Sequence, residues 1–277
     1  MITGTCGQNN MNMSKKIVPV VFAISLVLSM SESLYAQNNL DVESLKKYSS
    51  ENIFKVISKA GGGRISAVTE INDLDSNGFN EWAIGIPNDD DGNNDAGAIY
   101  IVFRYAGNVF GRFQKISSTK GNLNDTLPAL AGFGCAIEPL GDLDGNGVAD
   151  IMVGASKYSK GGSEHGAVYT LLLEEDGTVR NRRRIDVDSI GMSVVLNTGS
   201  EMGASIAYLG NVDGMHGPEV AVGIPGYQDF STDEGGLLLF TLESDGSMKA
   251  SSEFLIHGST SNFGHTLDYN DRFGASV

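Results

Sequence analysis

Short apolar runs rich in β-branched residues alternate along the chain with clusters of glycine, aspartate and asparagine. The clearest set runs from Cys135 to Leu140, Ile151 to Ala155 and Ala167 to Leu173, and a fourth run ends near Ile185. Runs of this length between turn residues are typical of small antiparallel strands. No copy of the pattern contains an uninterrupted amphipathic stretch of about 10 to 12 residues, which disfavours a helical solenoid. The pattern predicts an all-β fold.

The pattern recurs three times in one register. Two triplets show a constant spacing of 69 residues: Asp73, Asp142 and Asn211, and Gly97, Gly166 and Gly235. Internal repeats of this kind indicate that one structural unit is used several times. Each copy has four predicted strands, and four antiparallel strands form one blade of a β-propeller. The sequence therefore predicts three full propeller blades.

Two loops between predicted strands carry oxygen ligands at alternate positions, in the pattern D-x-D-x-N-G-x-x-D/E. Calcium prefers about 6 to 8 oxygen ligands, and glycine at the sixth position permits the sharp bend. We expect side-chain oxygens from four residues of each loop and a backbone carbonyl from a fifth. The predicted ligands are Asp73, Asp75, Asn77, Phe79 (carbonyl) and Glu81 in the first loop, and Asp142, Asp144, Asn146, Val148 (carbonyl) and Asp150 in the second.

The same loop residues can be weighed against two other interpretations, an EF-hand and an ordinary turn. An EF-hand needs glutamate at loop position 12, where this chain has Ile84 and Val153. A turn bonded only to its own backbone remains the alternative, although two matching copies in register favour a metal. The third copy keeps Asn211, Asp213 and Glu219, but Met215 and His216 replace the asparagine and the glycine, so we expect a weak ion or none there.

The motifs of the second copy, Phe133-Gly134, Gly141 to Gly147 and Val153 to Ser156, resemble the FG-GAP repeat of integrin α subunits. Copies one and three end in Gly-Ile-Pro, and they depart from the pattern at Arg64-Ile65 and Met202-Gly203. The resemblance covers residues 64–277. It implies a seven-bladed propeller, of which three blades and the opening of a fourth, Phe273 to Val277, form an incomplete ring. Further sequence or another chain would complete that ring.

The start of the chain resembles a secretion signal, because Lys15 and Lys16 precede an uncharged run from Ile17 to Met30. We expect residues 1–36 to be a signal peptide with an extended N-terminus and residues 63–277 to be the repeats. Residues 37–62 form an N-terminal segment that is either helical or an outer strand around Ile53 to Ile57. The mature chain is expected to have no transmembrane segment and to be secreted or at the cell surface, or periplasmic in a bacterium.

Charge and cysteine content narrow the function classes. The chain carries a net charge of −15, and such a surface repels phosphate backbones and attracts divalent cations, so we expect no nucleic-acid partner. Cys6 and Cys135 are the two cysteines, and removal of the leader would leave Cys135 alone, without an intramolecular disulfide. Cys135 is expected to be a small core side chain.

No catalytic motif organises the four histidines, so we do not expect an enzyme. The resemblance implies a calcium-binding module for extracellular recognition or cell adhesion, with a protein or glycan as ligand. An accessory domain of a secreted hydrolase such as a phospholipase is the alternative, since FG-GAP repeats also accompany phospholipase domains.

The ligand is expected at the ends of the blades opposite the calcium loops, where the connections between second and third strands vary. The resemblance implies the same side, which is the ligand side in integrin α subunits. The candidate contacts there are Asp89, Asp91, Tyr158 and Tyr227. Arg180 and Arg182 to Arg184 are expected on the outermost strand of the second blade, where charge protects a sheet edge.

Overall fold

A computed structural model describes residues 63–106, 109–160, 162–189, 192–214, 216–229, 233–260 and 266–277. Across these ranges the regular structure is entirely β, without an α-helix. It follows that no described helix could span a membrane. The predicted signal peptide and residues 37–62 lie outside the described residues, as does Met215 of the third loop.

Three antiparallel four-stranded sheets follow one another along the chain, and the strand order within each follows the sequence. The first contains β1 (Ala67–Glu70), β2 (Trp82–Ile86), β3 (Ala98–Tyr105) and β4 (Val109–Ile116). The second contains β5 (Phe133–Gly141), β6 (Asp150–Ala155), β9 (Ala167–Leu173) and β10 (Val179–Ile185). Between β6 and β9 the chain forms a separate two-stranded hairpin of β7 (Ser159–Lys160) and β8 (Ser163–Glu164). The third contains β11 (Ile206–Gly210), β12 (Glu219–Ile224), β13 (Gly236–Thr241) and β14 (Phe254–Ile256). The predictions of an all-β fold and of four strands per copy are confirmed, and the sheets have the topology of propeller blades.

The second sheet lies between the other two and is buried on both faces. Tyr169 of β9 belongs to the core that contains Ile101 of the first sheet. Val168, which precedes Tyr169 on the same strand, belongs instead to the core that contains Phe240 of the third sheet. Because successive side chains of a strand point to opposite faces, β9 must be apolar at nearly every position to fill both cores. This burial explains the continuous run from Ala167 to Leu173 in the sequence.

The sheets meet at glycines of the repeat. A Cβ atom on Gly85 would lie 2.0 Å from the carbonyl oxygen of Gly134, and a Cβ atom on Gly154 would lie 2.1 Å from that of Gly203. The same relation joins Gly223 to Gly274, at 1.9 Å. The Phe-Gly or Met-Gly pair that opens a copy therefore packs directly on the glycine next to last in the second strand of the sheet before it. A side chain at either position would force the sheets apart.

A second junction lies next to the first. Gly97, Gly166 and Gly235 form isolated parallel bridges to Phe133, Met202 and Phe273 of the following copy. The glycines have φ values of 94°, 85° and 91°, a backbone conformation that residues with a Cβ atom rarely adopt. The constant 69-residue spacing of these glycines thus reflects a repeated backbone contact between sheets.

The arginine-rich strand β10 is the outermost strand of the second sheet, as predicted. Its side chains are nonetheless bonded to neighbouring elements. Arg182 donates to the carbonyl oxygens of Leu123 and Asn124, at 2.7 and 2.8 Å, and Arg183 pairs with Asp245 at 2.6 Å. The arginines therefore tie the edge strand to adjoining loops as well as charging it.

Gly166→Ala should destabilise the fold far more than Gly162→Ala. Both glycines have similar φ values, 85° and 89°, so each alanine incurs the left-handed backbone cost of about 1 to 2 kcal/mol. A Cβ atom on Gly166 would also lie 2.3 Å from the carbonyl oxygen of Met202, whereas nothing lies within 4 Å of one on Gly162. Overpacking adds about 1 to 3 kcal/mol for Gly166→Ala alone. Urea unfolding of the two variants measures the difference, and equal stabilities would contradict the proposed role of the junction.

Candidate metal centres

The two predicted calcium loops connect the first and second strands of the first two sheets, and their first aspartates fold them. The carboxylate of Asp73 accepts hydrogen bonds from the backbone N–H groups of Asn77 and Gly78, at 3.0 and 2.7 Å. Asp142 accepts from Gly145 and Gly147 in the same way, at 2.8 and 2.9 Å. Each aspartate thus turns the loop back on itself and brings its later residues towards its own side chain.

The last acid of each loop attaches the loop to the sheet. Glu81 is fully buried and accepts from the N–H of Leu74 at 2.6 Å and from that of Arg104 on β3 at 3.4 Å. Asp150, also fully buried, is held in the equivalent way by two N–H groups, from Leu143 within its loop and Leu173 on β9, both at 2.9 Å. These carboxylates are therefore fixed by rigid strands.

The asparagine of each loop is positioned by the same strands. Asn77 donates from Nδ2 to the carbonyl oxygen of Arg104 at 3.0 Å, and its Oδ1 accepts from the N–H of Phe79 at 2.9 Å. Asn146 makes the matching bonds to Leu173 and Val148, at 3.1 and 2.7 Å. A carbonyl oxygen has a second lone pair, so these bonds leave the asparagines able to bind a cation.

Three carboxylates meet in each loop. Asp73, Asp75 and Glu81 each offer an oxygen that lies within 4.8 Å of the other two, and so do Asp142, Asp144 and Asp150. Three carboxylates this close repel one another. Their oxygens are hard ligands, which suit calcium better than they suit softer metals. The structure therefore brings together the predicted acidic ligands of both loops.

Burial makes these clusters costly without a counter-charge. Burial raises the pKa of Glu81, and the charges of Asp75 and Asp73 add to the effect, although two backbone hydrogen bonds oppose it. In the second loop, burial and the charge of Asp142 raise the pKa of Asp150 to about 6. Asp75 Oδ1 is buried without a hydrogen-bond partner in the first loop. A bound cation would compensate this buried oxygen, so the residues present fit a metal ion.

The third loop differs from the other two. Asn211 donates from Nδ2 to the carbonyl oxygen of His216 at 2.6 Å, and the imidazole of His216 lies 3.6 Å from Asp213. Glu219 accepts from the N–H of Val212 at 2.7 Å, which matches the role of Glu81 and Asp150. Within the described part of this loop, its acids do not form a three-carboxylate cluster.

At the opposite ends of the sheets, two of the four predicted ligand contacts are buried. Asp89 is 2% exposed, pairs with Lys115 at 2.7 Å and accepts from the hydroxyl of Tyr100 at 3.3 Å. Tyr158 is 8% exposed, and the guanidinium of Arg184 lies over its ring. Little of either side chain is accessible to a ligand that approaches this face, and a contact role for either residue stays a prediction.

Asp91, a third predicted contact, is partly buried and clasps its loop to the chain that follows β4. It accepts from the hydroxyls of Ser117 and Thr119, at 2.7 and 2.6 Å, and lies 3.2 Å from Lys115. Burial would raise the pKa of Asp91, but the two hydroxyls and the lysine outweigh it and leave the pKa lowered. Asp91 therefore has a structural role.

Sequence reasoning missed a second clasp, in the third copy. Asp229 lies two repeats of 69 residues after Asp91, accepts from the hydroxyl of Ser259 and lies 2.9 Å from Nδ1 of His257. The shared register was the signal that could have revealed it. The hydroxyl of Ser259 bonds to the carboxylate and not to the imidazole, so these three side chains are not arranged for a histidine to activate a serine.

Comparison with known proteins relates part of this chain to integrin α chains. The chain is 31% identical over 91 residues to integrin alpha-2 of Mus musculus and 31% identical over 90 residues to integrin alpha-11 of Homo sapiens. It is 32% identical over 91 residues to integrin alpha-2 of Bos taurus. Each match covers 32% of this chain and 7% of the relative's length. No protein-family model matches the chain.

The stability of the metal-free chain should depend on pH through Asp150. Its pKa of about 6 in the folded protein exceeds the value of about 3.9 expected in the unfolded chain. The folded state therefore holds more protons in this window, and the stabilisation present below about pH 4 is lost as the pH rises through about 6. Between pH 5 and pH 7 this loss amounts to about 1 kcal/mol.

The Asp150→Asn variant isolates this contribution, because its amide does not titrate. Urea unfolding in metal-free buffer at both pH values gives the two free energies of unfolding. The difference between the wild-type chain and Asp150→Asn should change with pH by about 1 kcal/mol. A difference that is independent of pH would contradict the raised pKa.

Proposed function

We propose that this chain is an extracellular, calcium-binding recognition or adhesion module built from FG-GAP propeller blades. The observation that carries the proposal is the repeated loop, in which three carboxylates converge twice in the same register. Turn chemistry alone would not require three acids to meet, since one aspartate is enough to hold the turn by backbone bonds.

Calcium is the cation that these loops fit best. The candidate ligands are hard oxygens from carboxylates and amides, with the carbonyl groups of Phe79 and Val148 proposed to add to the shell. No cysteine or histidine belongs to either cluster, whereas zinc and copper sites commonly use such ligands. When bound, calcium would supply the positive charge that the buried carboxylates need and would lock each loop onto its sheet.

A recognition role is supported by the similarity to integrin α chains and by the division of the sheets into two ends. The structure directs the metal loops and the connections between second and third strands to opposite ends, because adjacent strands are antiparallel. Connections on a rigid scaffold are where binding surfaces are usually built. An extracellular protein or glycan is the proposed partner, and the leader-like N-terminus supports secretion. The chain spans 7% of the length of the relatives it matches, so their overall function is only a guide.

The proposed activity is binding and not catalysis. Partly exposed Tyr227 remains a candidate contact, and exposed Asp90 and Asn94 of the first connection join it. Asp91 is left out of this set because its carboxylate is engaged in the clasp.

The chain should bind two calcium ions and melt at a higher temperature in calcium than in chelator. Extracellular calcium modules have dissociation constants of about 0.1 to 1 mM, so calcium at about 1 mM would stabilise each site by roughly 0.4 to 1.4 kcal/mol. Titration calorimetry measures the number of sites. Asp144→Ala should reduce that number to one, and Asp213→Ala, in the third loop, should leave it at two. A wild-type chain with neither a heat of binding nor a melting shift would refute calcium binding.

Partner binding should depend on the connections between second and third strands. The variant with Asp90→Ala, Asn94→Ala and Tyr227→Ala should bind at least about tenfold more weakly, because each change removes a polar or aromatic group from the proposed surface. Arrays of extracellular-matrix proteins and glycans, probed in calcium, provide the measurement.

A matched control changes the other end of the sheet. Glu174→Ala with Glu175→Ala removes two exposed acids near the second metal loop, and it should leave array binding unchanged. The triple variant should keep its calcium-dependent melting shift. If only the control variant lost array binding, the binding face would lie at the metal-loop end, and the proposed assignment would be wrong.

A further inference from the structure

Each metal loop has an arginine from the outermost strand of its own sheet beside the second aspartate of the loop. Arg180 of β10 forms an ion pair with Asp144 Oδ2. Arg112 of β4 lies beside Asp75, with 3.7 Å between Nη2 and Oδ2. The two arginines therefore lie beside equivalent candidate ligands, and the Arg112 pair is the wider of the two.

Arg112 is held by other groups. Its guanidinium carbon lies 3.5 Å from the centroid of the Phe103 ring, and its Nη1 and Nη2 atoms donate to the carbonyl oxygens of Asp176 and Glu175, at 3.4 and 3.2 Å. These contacts bridge the first and second sheets. Arg112 is thus shared between Asp75 and a contact that links the two sheets.

Arg180 has no comparable anchor among its described contacts. Its other ion-pair partner is Glu174, with 3.9 Å between Nε and Oε1. The Arg180 side chain is 41% exposed, whereas that of Asp144 is 9% exposed. A partly exposed cation therefore reaches into a carboxylate cluster whose members range from exposed Asp142 to buried Asp150.

We propose that Arg180 is a tethered competitor for calcium at the second loop and lowers the affinity of that site. The inference rests on the proposed function, because it concerns the regulation of the same metal centre. The guanidinium and a calcium ion carry like charges and use the same carboxylate of Asp144, so calcium must displace the arginine or bind against its repulsion.

The structure also provides a place for the displaced side chain. Arg180 lines an open groove beside the second loop together with Asn146, Val148, Glu174, Glu175 and Asp176. The acids of this groove can pair with the guanidinium once it leaves Asp144. The first site, beside the anchored Arg112, should therefore fill at a lower calcium concentration than the second.

Calcium affinity in single-site backgrounds of the full chain tests this inference. Asp73→Ala leaves the second loop intact, and Asp142→Ala leaves the first. Adding Arg180→Gln to the Asp73→Ala background should tighten calcium binding about tenfold, because the competing charge is gone. Adding Arg112→Gln to the Asp142→Ala background should change the affinity by less than about threefold.

Arg180→Lys provides a second variant that keeps the positive charge, and its affinity should remain near that of the parent chain. Calorimetry gives the dissociation constants, and melting curves in chelator show whether each variant folds. Calcium binding that is unchanged or weakened by Arg180→Gln would overturn the competitor role while leaving calcium binding in place. Tightening by both Arg180→Gln and Arg180→Lys would assign the effect to packing and would also overturn it. An absence of binding in every variant, Arg180→Gln included, would overturn the proposed function as well.

Discussion

The structure depends on the close approach of two glycine backbones wherever one sheet meets the next. Gly85 packs on Gly134 and Gly154 on Gly203, each at a distance that leaves no room for a Cβ atom, and Gly223 packs in the same way on Gly274 of the segment that follows the third sheet. This contact sets the distance between neighbouring sheets. The side chains on the two facing surfaces must therefore fill the space between those sheets. It also explains in physical terms why a Phe-Gly pair and a later glycine recur together in the repeat.

The same packing positions the two candidate metal loops. Because β9 is buried between two cores, its backbone is rigid, and the N–H of Leu173 and the carbonyl of the same residue hold Asp150 and Asn146. Arg104 of β3 holds Glu81 and Asn77 in the first sheet. The positions of these candidate ligands therefore depend on the buried strands. The loops themselves contribute the turns that Asp73 and Asp142 hold by backbone hydrogen bonds.

Much of the fold and the acidic part of the candidate metal sites could be predicted from the sequence, because both follow from local patterns. Strand length, turn residues and the 69-residue register need no knowledge of distant contacts. The burial of Asp89 could not be read in this way, since it depends on Lys115, which lies 26 residues later and across the sheet. Its register did contain a signal: Asp89, Tyr158 and Tyr227 occupy one repeat position, and in each copy this residue donates its N–H to the carbonyl of the residue three positions earlier. A turn position shared by all copies indicates a structural role where its side chain is buried, as for Asp89 and Tyr158, whereas Tyr227 at the same position stays partly exposed.

The pKa values of buried or partly buried carboxylates shift in opposite directions at the two ends of the sheets. At the clasp end, hydroxyl groups and Lys115 compensate Asp91, and the side chains of Ser259 and His257 compensate Asp229, so both pKa values are lowered despite burial. At the loop end, the pKa values of Glu81 and Asp150 are raised, because burial and neighbouring acids outweigh the backbone donors. Acids with internal partners are stable as they are, whereas crowded acids with raised pKa values must gain a proton or a cation. The loop end is therefore the place for the proposed cation, and the clasp end, where the acids already have internal partners, is the place for the proposed partner.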